Sequence, residues 1–275
     1  MGEPLLGTDV LAALRDLDAG AQATEERLRA ECNRAADIHA MWADLRTAVE
    51  RDWVCHALAA LDTRRELLAE LCDRNAEVAA TVDEIRRACT ARGDALMRRY
   101  PHMLEQAASG KIVMDERSRH PRYAFEQGFF TVQVDETPRA ARISDYEGAL
   151  ARLPADPEAV VERLLRERSR VFDRSFHGTQ VLKALRREYL AAVKQQRESD
   201  GASIPIRTIS RRMSKRGGRT DEFLIDLSRL VTSGPLSVGG RELDLQHTRE
   251  AANGMLLHGL EQRGYVGYVV FRKAG

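Results

Sequence analysis

The sequence predicts a mainly α-helical protein, and two observations support this. Aromatic residues make up only 5% of the 275 residues, whereas charged residues make up 31%. That balance suits helices with one solvated face better than sheets, which favour aromatic and β-branched residues. In addition, residues 21–92 contain neither glycine nor proline and are rich in good helix formers. We therefore expect a long, coiled-coil-like helical arm over residues 1–108.

The arm is expected to begin with a short helix and then to continue as one long helix. Thr8 and Asp9 can cap the first helix, and residues 18–20 are typical of its end. Beyond it, apolar residues recur in steps of three and four, the heptad pattern of a helix that packs against a partner helix. The pattern loses phase between Val49 and Leu61, so two antiparallel helices joined there are the alternative.

The apolar positions of the arm form a candidate docking surface for another protein chain. A stripe this long is hard to cover with the rest of the protein. We therefore expect a second copy or a larger partner to pack on it, and the alternative is the core face of a helical bundle. The predicted positions are Ile38, Trp42, Leu45, Val49, Leu61, Leu68, Leu71 and Val78.

Residues 109–172 predict a linker followed by a small α+β segment. Residues 123–134 alternate and are rich in aromatic side chains, which predicts a strand or hairpin that turns near Gly128. Residues 143–153 fit either a short helix or a strand. Asp156 and Pro157 are typical of a helix start, and this helix is expected to end near Phe172.

Residues 173–275 predict a compact C-terminal domain. Helices are expected over 176–196, 206–213, 220–231 and 248–263. Gly239 and Gly240 predict a tight hairpin turn, and residues 265–271 predict a final strand. The predicted order is a helix, a short helix, a turn, a helix and a two-stranded hairpin. This order resembles that of the winged-helix superfamily. The resemblance also depends on a packing pattern of Ile209, Met213, Leu227 and Leu230. It implies contact with DNA or with protein.

Charge is distributed unevenly along the chain. Residues 1–110 carry a net charge of −6 and residues 163–219 a net charge of +11, although the whole chain carries only +1. A local cationic region can bind phosphates even when the protein is nearly neutral. Basic residues are most closely spaced over residues 207–219, and we expect six of them to bind backbone phosphates without recognising the base sequence. They are Arg207, Arg211, Arg212, Lys215, Arg216 and Arg219.

The helix that begins at Thr220 is poorly suited to reading bases. In a winged-helix protein it would enter the major groove with its N-terminal residues on the base edges. Here those residues include Asp221 and Glu222, and Asp226 follows one turn later. Their carboxylates would face phosphates, so we expect backbone contacts from the basic segment instead.

The sequence contains no recognisable catalytic or metal-binding motif. Walker A, GxGxxG, GxSxG and HExxH patterns are absent. The cysteines, at positions 32, 55, 72 and 89, lack zinc or redox spacing and predict reduced thiols, which fits a cytoplasmic protein. His247 and His258 are the closest approach to a cluster. We expect no enzymatic activity, no cofactor, no metal and, since no apolar run approaches 18 residues, no membrane partner.

These features predict a non-enzymatic assembly or accessory subunit. The arm would dock onto a second copy or a larger complex. The C-terminal domain would contact nucleic acid nonspecifically or hold a larger ATPase or nuclease. This layout is similar to accessory subunits of bacterial chromosome-maintenance or defence complexes that include coiled-coil ATPases. The alternative is a DNA-binding transcriptional regulator with a helical dimerisation arm.

Overall fold

The chain is mainly helical, as the sequence predicts, and forms two compact units. The computed structural model describes residues 8–215 and 218–273. Within these residues there are nine α-helices and two four-stranded antiparallel sheets. The first unit is Met1–Ala95 and the second is Leu96–Gly275. Among the described helices, none has both the length and the apolar content needed to cross a bilayer.

The first unit is entirely helical over its described residues. Its helices are α1 (Thr8–Glu50), α2 (Val54–Thr63), α3 (Arg65–Arg74) and most of α4 (Ala76–Arg98). Helix α1 passes through Gly20 without interruption, so the predicted short helix ending at residues 18–20 is wrong. A single glycine in a helix costs only about 1 kcal/mol relative to alanine, which neighbouring helix formers can outweigh. At 43 residues, α1 is roughly 65 Å long.

The preferred prediction of one continuous helix over residues 21–92 is wrong, and the alternative break is found. Helix α1 ends in a Schellman motif, in which Trp53 N–H donates to the Ala48 carbonyl (2.8 Å) and Asp52 N–H donates to the Val49 carbonyl (3.1 Å). Asp52 adopts the left-handed conformation (φ 59°) that this motif usually assigns to glycine. Because aspartate occupies that position, no glycine marked the turn.

A second break separates α3 from α4 and has a capping residue. The Asn75 side-chain oxygen accepts hydrogen bonds from the backbone N–H groups of Glu77 (2.9 Å) and Val78 (3.3 Å). Asparagine is among the best residues for this role, because its side chain satisfies amides that lack a helical partner. Arg64 alone separates α2 from α3.

The first unit buries one face of α1 against α2. The buried residues of α1 are Met41, Leu45 and Ala48, and those of α2 include Leu58 and Leu61. Ion pairs add contacts between its helices: Arg34 pairs with Glu70, Arg64 with Asp37, Arg86 with Asp62 and Arg92 with Asp52. The four cysteines, all of which lie in the described part of the chain, form no disulfide, and Cys55 and Cys89 are buried.

The second unit begins with helix α5 and a meander sheet. Helix α5 is Tyr100–Ala108, and the strands are β1 (Arg122–Phe125), β2 (Phe130–Asp135), β3 (Ala140–Ser144) and β4 (Ala149–Pro154). The strand order β1-β2-β3-β4 follows the chain. The predicted hairpin near Gly128 is confirmed, and residues 143–153 are parts of two strands. One face of this sheet is buried, through Tyr123, Phe125, Phe130, Val132, Val134, Ala141 and Ile143.

The remainder of the second unit combines four helices with a second sheet. The helices are α6 (Pro157–Phe172), α7 (Gly178–Gln196), α8 (Ile206–Ser214) and α9 (Thr220–Ser233). The strands are β5 (Ile204–Pro205), β6 (Ser237–Val238), β7 (Arg241–Thr248) and β8 (Tyr265–Lys273), in the spatial order β5-β8-β7-β6. The predicted hairpin is confirmed, because Gly239 and Gly240 both have positive φ (57° and 69°) between β6 and β7.

The predicted last helix over 248–263 is wrong. Only a short 3-10 helix, Glu261–Arg263, forms there. Met255 instead exchanges two backbone hydrogen bonds with Val266 of β8, at 2.8 and 2.9 Å. Gly254 permits this approach, because a Cβ atom there would lie 2.6 Å from the Tyr265 Cβ. Gly259, with φ of 72°, turns the chain again.

One hydrophobic core joins the parts of the second unit. It runs from Tyr100 of α5 through Ile143 and Leu164 to Phe271 of β8. The segments predicted as separate, residues 109–172 and 173–275, therefore share a core, and α5 belongs to it although it was predicted in the arm.

Candidate nucleic-acid interface

Helix α9, which would enter the groove in a winged-helix reader, is buried. Eight of its fourteen residues are buried and those that are exposed lie at its C-terminal end. The buried residues are Asp221, Phe223, Leu224, Ile225, Asp226, Leu227, Ser228 and Leu230. The middle of α9 therefore has no free face for base edges.

The acidic residues of α9 point toward α6, which corrects the expectation that they face phosphates. The Asp221 side chain is only 3% exposed and pairs with Arg170, whose Nη1 also lies 3.1 Å from Glu222 Oε1. Arg174 pairs with Asp226, and its Nη1 lies 3.0 Å from Glu222 Oε2. These carboxylates are neutralised within the protein and do not oppose a nearby anion.

The pKa values of the two buried aspartates of α9, Asp221 and Asp226, are shifted in opposite directions. Burial by itself raises the pKa of Asp221, but the hydrogen bond and charge of Arg170 outweigh it, so the pKa lies below 3.8. At Asp226 burial outweighs the attraction of Arg174, and the pKa is raised. One Asp226 carboxylate oxygen, Oδ1, is buried without a hydrogen-bond partner in the described residues.

Two of the six predicted phosphate-binding cations bind the protein itself. Arg207 Nη1 lies 2.8 Å from Glu147 Oε2, and its Nη2 donates to the Gly254 carbonyl at 2.7 Å. Arg212 Nη1 donates to Gln195 Oε1 at 2.9 Å, and its Nε lies 3.5 Å from Glu188 Oε2. Their main role in this structure is to join elements of the second unit.

Three of the remaining predicted cations are exposed. Arg211 and Lys215 lie one helical turn apart on the open side of α8. Arg219 is also exposed, and its Nε lies 3.5 Å from Asp221 Oδ1. Arg216 lies outside the described residues.

A further row of cations on α7 was not predicted. Exposed residues recur along this helix and its C-cap in steps of four, three, four and three, which places them on one face. They are Lys183, Arg187, Leu190, Lys194 and Arg197. This spacing is visible in the sequence. The phosphate-binding cations were instead predicted in residues 207–219, where basic residues are more closely spaced.

Glu188 connects the cationic faces of α7 and α8. Its side chain is 2% exposed and accepts from Arg187 Nε at 3.2 Å, and Arg212 of α8 approaches its other oxygen. Arg212 thus bridges the two helices, and exposed cations flank it on both. We call the set Lys183, Arg187, Lys194, Arg197, Arg211 and Lys215 the α7–α8 surface. The exposed acids close to it in the chain are Glu198 and Asp200, and Asp200 pairs with Arg186 and Arg241.

Several predicted partner-binding residues are buried within the first unit. Leu45, Leu61 and Leu68 are at most 4% exposed. Ile38, Trp42, Leu71 and Val78 are half-buried, and Val49 is 51% exposed. Most of the predicted docking positions therefore pack within the first unit, which favours the alternative interpretation, the core face of a helical bundle.

The N-terminal part of α1 carries the exposed continuation of this stripe. All residues of segment 9–33 are exposed, including Val10, Leu14, Leu17 and Leu28. Because α1 is continuous, Val10 and Leu17 fall on the heptad position of Ile38 and Leu45, and Leu14 and Leu28 fall on that of Trp42 and Val49. We call Val10, Leu14, Leu17, Ala21 and Leu28 the α1 stripe.

The described residues contain no group of three or more histidine, cysteine, aspartate and glutamate side chains able to hold a metal. His258 lies between Phe129 and Phe172, with ring centroids 5.5 and 5.0 Å away, and burial lowers its pKa. His247 lies on β7 and, with Asp244, Arg263 and several apolar side chains, lines a cavity of about 160 Å³. Asp244 in that lining pairs with Arg272 (2.7 Å).

The geometry thus defines a mainly helical protein with an exposed cationic surface on two packed helices. Comparison with protein families, curated proteins and solved structures finds no significant match for this chain.

Proposed function

We propose that the protein is a non-enzymatic assembly or accessory subunit that binds nucleic acid through phosphates. The observation that carries this proposal is the α7–α8 surface, where exposed cations surround an internally neutralised glutamate. A cationic surface of this kind gains affinity by releasing condensed counterions and does so regardless of base sequence.

The fold of the C-terminal region supports the same proposal. Helix α7, strand β5, helices α8 and α9, and strands β7 and β8 follow the order of a winged-helix domain, and β8 pairs with both β5 and β7. A regulator of this class reads bases with the helix equivalent to α9. Because α9 is buried here, phosphate binding is favoured over the regulator alternative.

The arm supplies the second half of the proposal. The α1 stripe exposes large apolar side chains on a helix that the first unit covers only near its C-terminal end. We propose that this stripe packs against another protein chain, either a second copy or a larger partner such as an ATPase or nuclease subunit.

A paired substitution on the α7–α8 surface tests nucleic-acid binding. Lys194→Gln with Arg211→Gln removes two exposed cations and leaves Arg187 and Arg212 in place to neutralise Glu188. Affinity for labelled random-sequence duplex DNA should fall, and the slope of log affinity against log salt should become shallower by about 2. Fluorescence anisotropy over a salt series measures both quantities.

The matched control removes two arginines that pair with carboxylates of the chain. Arg166 is 74% exposed and lies 4.0 Å from Glu162, and Arg272 is 64% exposed and lies 2.7 Å from Asp244. Arg166→Gln with Arg272→Gln should change binding much less. Equal losses in both double variants would mean that only net charge matters and would remove the α7–α8 surface from the proposal.

A further inference from the structure

The outward face of the first sheet carries a row of exposed cations across its strands. Arg122 of β1 lies opposite Gln133 of β2, which lies opposite Arg142 of β3, which in turn lies opposite Arg152 of β4. All four side chains are exposed. We call the three arginines with Gln133 the arginine row.

Strand alternation directs this row away from the core. Adjacent to the row in β1, β2 and β3 lie Tyr123, Val132 and Ile143, and each of these is buried. Successive side chains of a strand point to opposite faces, so the arginines project into solvent. With strands about 4.8 Å apart, the row extends roughly 14 Å across the sheet.

The charges of the arginine row have no partner in the described chain. None of its guanidinium groups forms an ion pair there, whereas Arg168, Arg170 and Arg174 all do. Arg142 and Arg152 lie directly opposite each other, and like charges in that position destabilise a sheet. The acids near this face are Asp135, which lies opposite Ala140 in a neighbouring row, and Asp115 and Glu116, which line a surface pocket together with Arg122.

We propose that the arginine row binds the phosphodiester backbone of nucleic acid, as a second contact surface distinct from the α7–α8 surface. The guanidinium fork matches two oxygens of a phosphate and is weakly hydrated, so an anion would relieve the repulsion between Arg142 and Arg152. This inference goes beyond the α7–α8 proposal, because it assigns a site on different elements.

The other outward side chains favour the backbone over the bases. None of those beside the row is aromatic: Ala124, Thr131, Asp135, Ala140, Ser144 and Pro154. Single-stranded binders usually stack bases on aromatic rings, which this face lacks among its described residues. Because the neighbouring side chains are small, a nucleic-acid strand has space to approach the guanidinium groups. Contacts with its phosphates carry no sequence information, so we expect binding to be independent of sequence.

The test substitutes both facing arginines in the full chain. Arg142→Gln with Arg152→Gln should lower affinity for labelled random-sequence duplex DNA and reduce the salt slope by about 2, as measured by anisotropy. Without DNA at low salt, the same variant should unfold at a higher temperature than wild type, because the repulsion is gone. The control Arg166→Gln with Arg272→Gln should change DNA binding much less and should not raise the unfolding temperature.

The outcomes separate the two surfaces. Unchanged affinity and slope in the arginine-row variant, with loss in the α7–α8 variant, would overturn this inference and leave the proposed function intact. Loss in the arginine-row variant alone would support it and remove the α7–α8 surface. If polyglutamate binding falls while duplex binding does not, the row serves an acidic protein and the inference is wrong.

Discussion

At the scale of single residues, Arg170 shows how buried charge is arranged in the second unit. Its guanidinium pairs with Glu167 of α6 (2.9 Å) and with Asp221 and Glu222 of α9. The Glu167 and Asp221 side chains are 9% and 3% exposed. Buried carboxylates without a counter-charge are costly, so this arginine holds the first turn of α9 against α6.

Arg170→Met is therefore expected to destabilise the protein by about 3 kcal/mol, because among the described residues Asp221 keeps only Arg219, 3.5 Å away, and Glu167 keeps only Arg163 as a counter-charge. Urea unfolding followed by circular dichroism measures the change. Arg166→Met, on the same helix but 74% exposed, should stay within about 0.5 kcal/mol. A loss below 1 kcal/mol for Arg170→Met would show that water already solvates these carboxylates.

His258 predicts a pH dependence with a defined sign. Burial lowers its pKa from 6.5, and the charge of Arg229 acts in the same direction, while Glu261 and Glu126 oppose them. The unfolded chain therefore binds a proton more readily than the folded protein. The stability that neutral His258 contributes is present above pH 6.5 and is lost as the pH falls through the folded pKa.

We expect His258→Leu to reduce this loss, which cannot exceed about 1.4 kcal/mol per pH unit for one group. Unfolding free energies measured between neutral pH and pH 5 provide the comparison. His247→Leu, at an exposed site, should retain the wild-type dependence. Identical profiles for wild type and His258→Leu would mean that another group titrates.

For single residues, the sequence predicted which charged side chains are important better than it predicted the directions in which they point. Arg207, Arg212, Asp221 and Asp226 were recognised as the charged residues that matter near α8 and α9. Their directions depend on partners far along the chain, such as Glu147 and Arg174. A one-dimensional pattern does not contain those pairings, so the sequence did not show that the acids pair with arginines of the same chain.

At the scale of elements, the accuracy of each predicted helix or strand depended on whether a local sequence signal marked its ends. Helix α6, the hairpin between β6 and β7, and strand β8 begin or turn at proline and glycine residues with clear local preferences. Helix α1 ends at an aspartate in a glycine-like conformation, which left no signal. The 248–263 segment fails as a helix because Gly254 and Gly259 shape its contact with β8.

The α1 stripe gives an element-scale prediction. Leu14→Glu with Leu17→Glu should lower the mass measured by light scattering, or abolish partner capture, because charges would enter the apolar seam. The matched control is Ala12→Glu with Ala19→Glu, which adds the same charge on the exposed opposite face. If wild type is monomeric and captures no partner, or if both variants behave alike, the docking role of α1 is wrong.

At the scale of the whole molecule, the distribution of charge and exposure follows the two units. The acidic N-terminal region is helical and leaves its exposed apolar stripe on α1. The second unit contains the cationic surfaces and the shared hydrophobic core. The proposed association with protein and the proposed contact with nucleic acid therefore use different surfaces.

Binding of the intact protein to random-sequence duplex DNA over a range of salt concentrations tests the central claim most directly. We expect binding at low salt that weakens steeply with added salt and is unaffected by the sequence of a competitor duplex, as phosphate contacts require. No binding at low salt, or a strong preference for one competitor sequence, would contradict the account.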